Sequence, residues 1–138
     1  MKRAATLRAD QTGVGTVEFA LAVPVLIAAI VGIFEFSMLL WANAGMQHAL
    51  GEAARYATLY DSSTSSHVPS DANIKARMDA SVFGPGGSGF TTTVSTPAAS
   101  TCTNCRLLSI SYTRTMNLVF ISVPPIVISQ SKQVYVVS

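Results

Sequence analysis

Two glutamates lie in or beside a long apolar segment, where a charged carboxylate is costly. Glu18 stands at the head of this segment, and Glu35 lies 17 positions later, well inside it. An acid in an apolar helix is expected to serve a function, because its charge needs a partner that apolar surroundings do not provide. Successive residues turn by about 100° around a helix, so the two carboxylates cannot share one face. For Glu35 two interpretations are open: pairing with another helix, or a protonated carboxyl near the outer boundary of a membrane that the helix would span.

Cys102 and Cys105 are the only cysteines, and their C-x-x-C spacing fits more than one chemistry. A zinc site would need two more ligands, and neither His48 nor His67 has supporting spacing. A thioredoxin-like site places C-x-x-C at a helix start, whereas this pair lies in a predicted loop before a strand. We expect a structural disulfide in an oxidising compartment, with free thiols or redox activity as the alternatives.

Several function classes find no support in the sequence. After the first 13 residues six basic residues balance six acidic ones, so no basic surface predicts nucleic-acid binding. The glycine-rich stretch from Gly84 to Gly89 lacks the Lys-Ser/Thr that a phosphate loop requires. Paired catalytic carboxylates and a nucleophile elbow are also missing. We therefore expect no enzyme, no cofactor and no metal.

The apolar segment is long enough to cross a membrane. From Phe19 to Ala42 the only ionisable residue is Glu35, and 24 residues span roughly 36 Å against a bilayer core of about 30 Å. Pro24 removes one backbone amide and predicts a kink. Basic residues precede the span closely and follow it only at Arg55, which predicts a cytoplasmic N-terminus. A cleaved signal peptide is the alternative, with an A-x-A site at residues 42–44, but its apolar region would be shorter.

The stretch "GVGTVEFALAVPVLIAAIVGIFEF" resembles the type IV pilin superfamily, and more specifically the TadE-like minor pilins (pseudopilins) of tight-adherence pili. The matching features are a basic leader, Gly13, a glutamate five residues later at Glu18, Pro24, and Glu35 followed by an aromatic residue. The resemblance implies that a prepilin peptidase cuts between Gly13 and Val14. It is strong over about residues 12 to 60 and weak beyond. Because major pilins of such filaments are usually much shorter, it points to a minor component.

The resemblance also implies a role for Glu18. Cleavage would free the α-amine of Val14, whose unperturbed pKa of about 8 leaves it positively charged. In lipid that charge needs a partner, and Glu18 of a neighbouring subunit would neutralise it and set the axial register during assembly. The plain alternative is a solvated acid at the headgroup boundary, stabilised by the helix dipole. We favour the assembly role.

The fold predicted from the sequence is α+β, with a long N-terminal transmembrane helix that continues outside, a short helix and a small antiparallel β-sheet. We divide the chain into a cytoplasmic leader (1–13), a long helix (14–60, spanning the membrane at about 19–42) and an extracytoplasmic domain (61–138). The helix should bury one stripe: Met46, Leu50, Ala53, Ala57 and Tyr60. Ser70 or Asp71 should cap the short helix, with Ile74, Met78 and Val82 on its inner face.

Alternation of apolar and polar residues predicts the strands. Leu108, Ile110, Tyr112, Met116, Leu118 and Phe120 share one parity, which Arg114 interrupts. Pro124 and Pro125 should end this strand, with further strands at "KQVYVVS" (132–138) and near "FTTTVS" (90–95). On the helices, spacing predicts the ion pairs Glu52–Arg55 and Asp71–Lys75.

The sequence thus predicts a processed minor pilin of the bacterial inner membrane, with a cytoplasmic N-terminus and an extracytoplasmic C-terminal domain that can reach the cell surface in a pilus. Its expected partners are other pilins, the prepilin peptidase, the inner-membrane pilus assembly platform and the lipid bilayer, and no nucleic acid. Two alternatives are a membrane-anchored scaffold protein that never enters the filament, and an envelope thiol oxidoreductase.

Overall fold

The structure, a computed structural model, describes residues 14–59, 68–86, 89–97, 102, 104–118, 121–122 and 124–136. The leader, Gly13, Tyr60 and His67 lie outside the described residues. Within these residues two helices and five strands follow in chain order: α1 (Val14–Ala57), α2 (Asp71–Ser81), β1 (Phe90–Ser95), β2 (Cys105–Arg114), β3 (Asn117–Leu118), β4 (Ile121–Ser122) and β5 (Ile126–Tyr135). The α+β prediction is confirmed.

Helix α1 has 44 residues and is therefore about 66 Å long. It runs through Pro24 as one helix and ends at Ala57, three residues before the predicted end. The predicted stripe is confirmed where it is described, since Met46, Leu50, Ala53 and Ala57 are all buried. This buried stripe lies on the C-terminal half of α1 and begins at Leu39, so only that half packs against the domain.

Helix α2 begins as predicted, with Ser70 as its N-cap. The Ser70 hydroxyl accepts a hydrogen bond from the Asn73 amide at 3.2 Å, which satisfies one of the free amides of the first turn. Ile74 and Met78 are fully buried, while Val82 at the C-cap is half-buried. The helix thus packs its apolar face against α1 and β1.

Both predicted helical ion pairs are wrong. Lys75 pairs with Asp79 at 2.7 Å, one turn on, and Asp71 pairs with Arg106 of β2 at 2.7 Å. Glu52 pairs at 3.4 Å with Arg77 of α2 and not with Arg55. Where a carboxylate can reach two cations, the tertiary structure decides which of them it pairs with. Spacing along one helix does not reveal this.

Strands β1, β2 and β5 form an antiparallel sheet with β2 in the centre. The predicted inward parity of β2 is confirmed, because Leu108, Ile110 and Tyr112 are buried. The long predicted strand nevertheless ends at Arg114, and β3 and β4 then form a separate two-stranded pair. Strand β5 starts at Ile126, six residues before the predicted start, because it pairs with β2 along all ten residues.

One face of the sheet packs against the helices. The buried core joins the C-terminal half of α1, the inner face of α2 and the inward side chains of β2. At its edge, the Tyr112 hydroxyl donates a hydrogen bond to the Pro85 carbonyl at 2.9 Å. Gly45 lies where the connection after α2 crosses α1, so close that a Cβ there would collide with the Phe83 carbonyl group.

Candidate functional site

The N-terminal part of α1 is an apolar helix that no described part of the chain covers. We call residues 15–34 the bare segment: none of them is buried, and side chains such as Phe19 and Leu21 are about 70% exposed. The helix is long and apolar enough to cross a membrane. Twenty residues rise about 30 Å, which equals the thickness of a bilayer core. The bare segment therefore has the length and surface of a membrane anchor.

Glu18 lies on the bare segment, one turn after the first residue of the helix. Its side chain is exposed, and no described residue forms an ion pair with it. The helix begins at Val14, whose side chain is outside the described residues together with Gly13. The single chain therefore presents the Glu18 carboxylate to whatever surrounds the bare segment.

Glu35 marks the point where the domain begins to cover α1. Its Oε2 atom accepts hydrogen bonds from Arg114, at 3.1 Å from Nε and 3.0 Å from Nη2. The two side chains are only 17% and 22% exposed. The partner of Glu35 is therefore a strand of its own chain, and neither sequence interpretation, another helix or a protonated carboxyl, anticipated it.

Arg114 occupies an inward position of β2, which explains why it interrupts the apolar parity. A cation on the inward face requires a carboxylate opposite, and that interruption was the available signal for the pair. The hydrogen bond with Tyr112 raises the pKa of Arg114; burial opposes this, and the hydrogen bond and charge of Glu35 add to it. The guanidinium thus stays charged beside Glu35.

A second polar contact fixes how the sheet lies along α1. Gln130 of β5 donates a hydrogen bond to Asn43 Oδ1 at 3.1 Å. Glu35 and Asn43 are about 12 Å apart along α1. Their contacts on the sheet side are Arg114, which is the register partner of Ile126, and Gln130. Ile126 and Gln130 are about 13 Å apart along β5. The two distances agree, so β5 runs parallel to α1 and the Arg114 end of the sheet points toward the bare segment.

The cysteines lie at the opposite end of the sheet. Cys102 and Cys105 form a disulfide with a Cα–Cα distance of 5.6 Å, and both are buried. His48 contacts the Ser81 carbonyl at 3.3 Å. Within the part of the chain that the structure describes, no group of three His, Cys, Asp or Glu residues could hold a metal ion.

Comparison with known proteins places the apolar helix in a family. Residues 13–55 match the family model of TadE-like proteins, so the match begins at Gly13 and covers nearly all of α1. No curated protein and no solved structure matches the chain. TadE-like proteins are envelope or pilus proteins, which agrees with a membrane anchor at the N-terminus. Over residues 13–55, the N-terminal helix of the chain is thus similar to TadE-like proteins.

Proposed function

We propose that the chain is a minor pilin of a tight-adherence pilus, which takes part in priming, assembly or adhesion. The observation that carries this proposal is the bare segment: 20 consecutive unburied, mainly apolar residues attached to a small domain with its own buried core. Such a surface needs lipid or other apolar helices around it. A pilin uses both in turn, first the bilayer and then the helices of neighbouring subunits.

The orientation follows from charge. Lys2, Arg3 and Arg8 precede the helix, and the positive-inside rule keeps such residues in the cytoplasm. The domain then lies outside the inner membrane, where a disulfide is stable. The Glu35–Arg114 pair, at the end of the bare segment, would lie near the outer boundary of the bilayer.

Processing would create the charge that Glu18 neutralises. A prepilin peptidase would cut after Gly13 and leave Val14 with a cationic α-amine at the membrane face of the helix. An isolated charge inside a bilayer costs about 2.5 to 3.5 kcal/mol on insertion scales, and pairing removes much of that cost. Because the Glu18 carboxylate is unpaired within the described chain, it is available to the amine of a neighbouring subunit. The assembly platform would then draw the paired subunits into the filament.

The first test is the intact mass and N-terminal residue of the protein purified from membranes. We expect a start at Val14, which disappears when the prepilin peptidase is absent. Gly13→Leu should block the cut, whereas Gly15→Ala, in open space on the helix, should leave it unchanged. A start at Met1 in the wild-type strain would refute processing, and a start at Gly45 would indicate a signal peptide.

A second test separates a pilin from a membrane-bound scaffold. We expect the wild-type protein to co-fractionate with sheared pili. Glu18→Gln keeps the size of the side chain and removes its charge, so it should allow cleavage but prevent incorporation. If a cleaved wild-type protein stays in the inner membrane while pili are shed, the scaffold alternative holds.

A further inference from the structure

The Arg114 end of the sheet is surrounded by exposed apolar side chains. On α1 these are Phe36, Leu40 and Trp41, each at least half exposed; on the sheet end they are Pro124, Pro125 and Val127, with Val127 61% exposed. We call these six residues the collar. Ile126 pairs with Arg114, which pairs with Glu35, so this end of β5 lies at the level of Glu35. Val127 follows Ile126 directly, and Pro124 and Pro125 directly precede it.

The collar also lies in a zone without unpaired charge. The sequence has no Asp, Glu, Lys or Arg from position 115 to 131, and Arg114 itself is neutralised by Glu35. The next charge on the sheet is Lys132, opposite Leu108 and about 20 Å along β2 from Arg114. On α1 the next carboxylate after Glu35 is Glu52, about 25 Å further. Asp79 of α2 is nearer, because it bonds to Thr92, which lies opposite Ile110 and about 13 Å along β2 from Arg114. It is paired with Lys75, so it adds no unpaired charge near the collar.

From this arrangement we infer that the collar is a second membrane contact, which rests in the outer headgroup layer of the bilayer that holds the bare segment. The collar is continuous with the bare segment, which is about 30 Å long and ends directly before Glu35. Trp41 is the only tryptophan of the chain, and tryptophan favours this interfacial layer. The inference requires a membrane anchor but not a filament, so it stands apart from the pilin proposal.

The arrangement makes the domain stand upright on the membrane. Strand β5 runs parallel to α1, so it points away from the bilayer. Val127 and Tyr135 lie on the same exposed face of β5, eight residues and about 26 Å apart. Val127 should lie at the lipid surface, and Tyr135 with the disulfide end should lie in water.

Lipid-borne quenching tests the inference. The full chain is reconstituted in vesicles of phosphatidylcholine and phosphatidylglycerol, with bromine on the acyl chains near the headgroup. In a Trp41→Phe background, Val127→Trp or Tyr135→Trp provides the only tryptophan, each at an exposed position that tolerates substitution. We expect several-fold stronger quenching at 127 than at 135. Equal quenching at both positions, weak or strong, overturns the upright arrangement.

The wild-type protein provides a second readout that depends on no substitution. Trp41 should be quenched by the same brominated lipids and shielded from a water-soluble quencher such as iodide. A Trp41 that iodide quenches fully and the lipids do not would place the collar in water and overturn the inference.

Discussion

Breaking the Glu35–Arg114 pair should loosen the sheet from α1. At 3.0 Å and an effective dielectric constant near 20, the two charges attract by about 5 to 6 kcal/mol. Desolvation of both groups offsets much of this, so the pair by itself adds little net stability. Removal of Arg114 alone leaves a carboxylate that is only 17% exposed and without its partner. Removal of one partner from a fully buried ion pair costs about 3 to 5 kcal/mol of stability. We expect about 2 to 3 kcal/mol here because some water reaches the site.

The assay is hydrogen exchange of the β2 and β5 amides in the full chain, reconstituted in vesicles, which reports the free energy of local opening. Arg114→Met should lower that free energy by about 2 to 3 kcal/mol. The matched control is Arg106→Met on the same strand, because Arg106 pairs with a carboxylate of Asp71 that is 48% exposed. That control should cost less than about 1 kcal/mol.

A double replacement separates charge from packing. Glu35→Met together with Arg114→Met removes both charges and keeps apolar volume, so it should be less destabilising than Arg114→Met alone. The reasoning is refuted if Arg114→Met costs no more than Arg106→Met, or if the double replacement costs the sum of its two single replacements.

Three further predictions concern the packed domain. Gly45→Ala should destabilise it by about 2 to 4 kcal/mol in thermal unfolding, because the new Cβ would collide with the backbone after α2. The control Gly51→Ala lies in open space on the same helix, so it should be neutral or stabilising by up to about 1 kcal/mol. Burial would raise the pKa of Asp79, but hydrogen bonds from Lys75 and Thr92 and the Lys75 charge lower it on balance. Its stabilisation is therefore present at neutral pH and lost as the pH falls through the lowered pKa, so Asp79→Asn should cost less than about 1 kcal/mol at pH 7 and progressively less as the pH falls below about 4 in denaturant titrations. Serine in place of both cysteines should cost about 2 kcal/mol of stability, because the disulfide closes only a short loop. The replacement should leave incorporation into sheared pili unchanged. Loss of a measurable envelope thiol-oxidase activity would instead favour the oxidoreductase alternative.

Local signals made much of the fold predictable from the sequence. The apolar segment, the Ser70 cap and the alternation in β2 each depend on residues that are close in the chain. Burial of Met46, Leu50 and Ala53 follows from helical spacing alone. These predictions succeeded because hydrophobic periodicity reports which face of an element must leave water, whatever covers it.

Strand boundaries were less predictable. The apolar alternation that begins at Leu108 continues to Phe120 in the sequence. Strand β2 nevertheless ends at Arg114, whose pair with Ile126 is the last pair between β2 and β5. Strand β5 likewise starts at Ile126, since its length is set by the partner strand and not by its own composition.

The sequence by itself determined that this chain has an apolar helix with two acids, a glycine before the first of them, and an α+β domain behind it. Only the tertiary structure decided what the second acid does. Glu35 and Arg114 are 79 positions apart, and no local pattern brings them together. Their pairing depends on how the sheet lies along α1, which the Asn43–Gln130 contact and the buried stripe set jointly. Long-range charge pairing is a property of that packing, because a carboxylate within an apolar run has no neighbour in the sequence that could neutralise it.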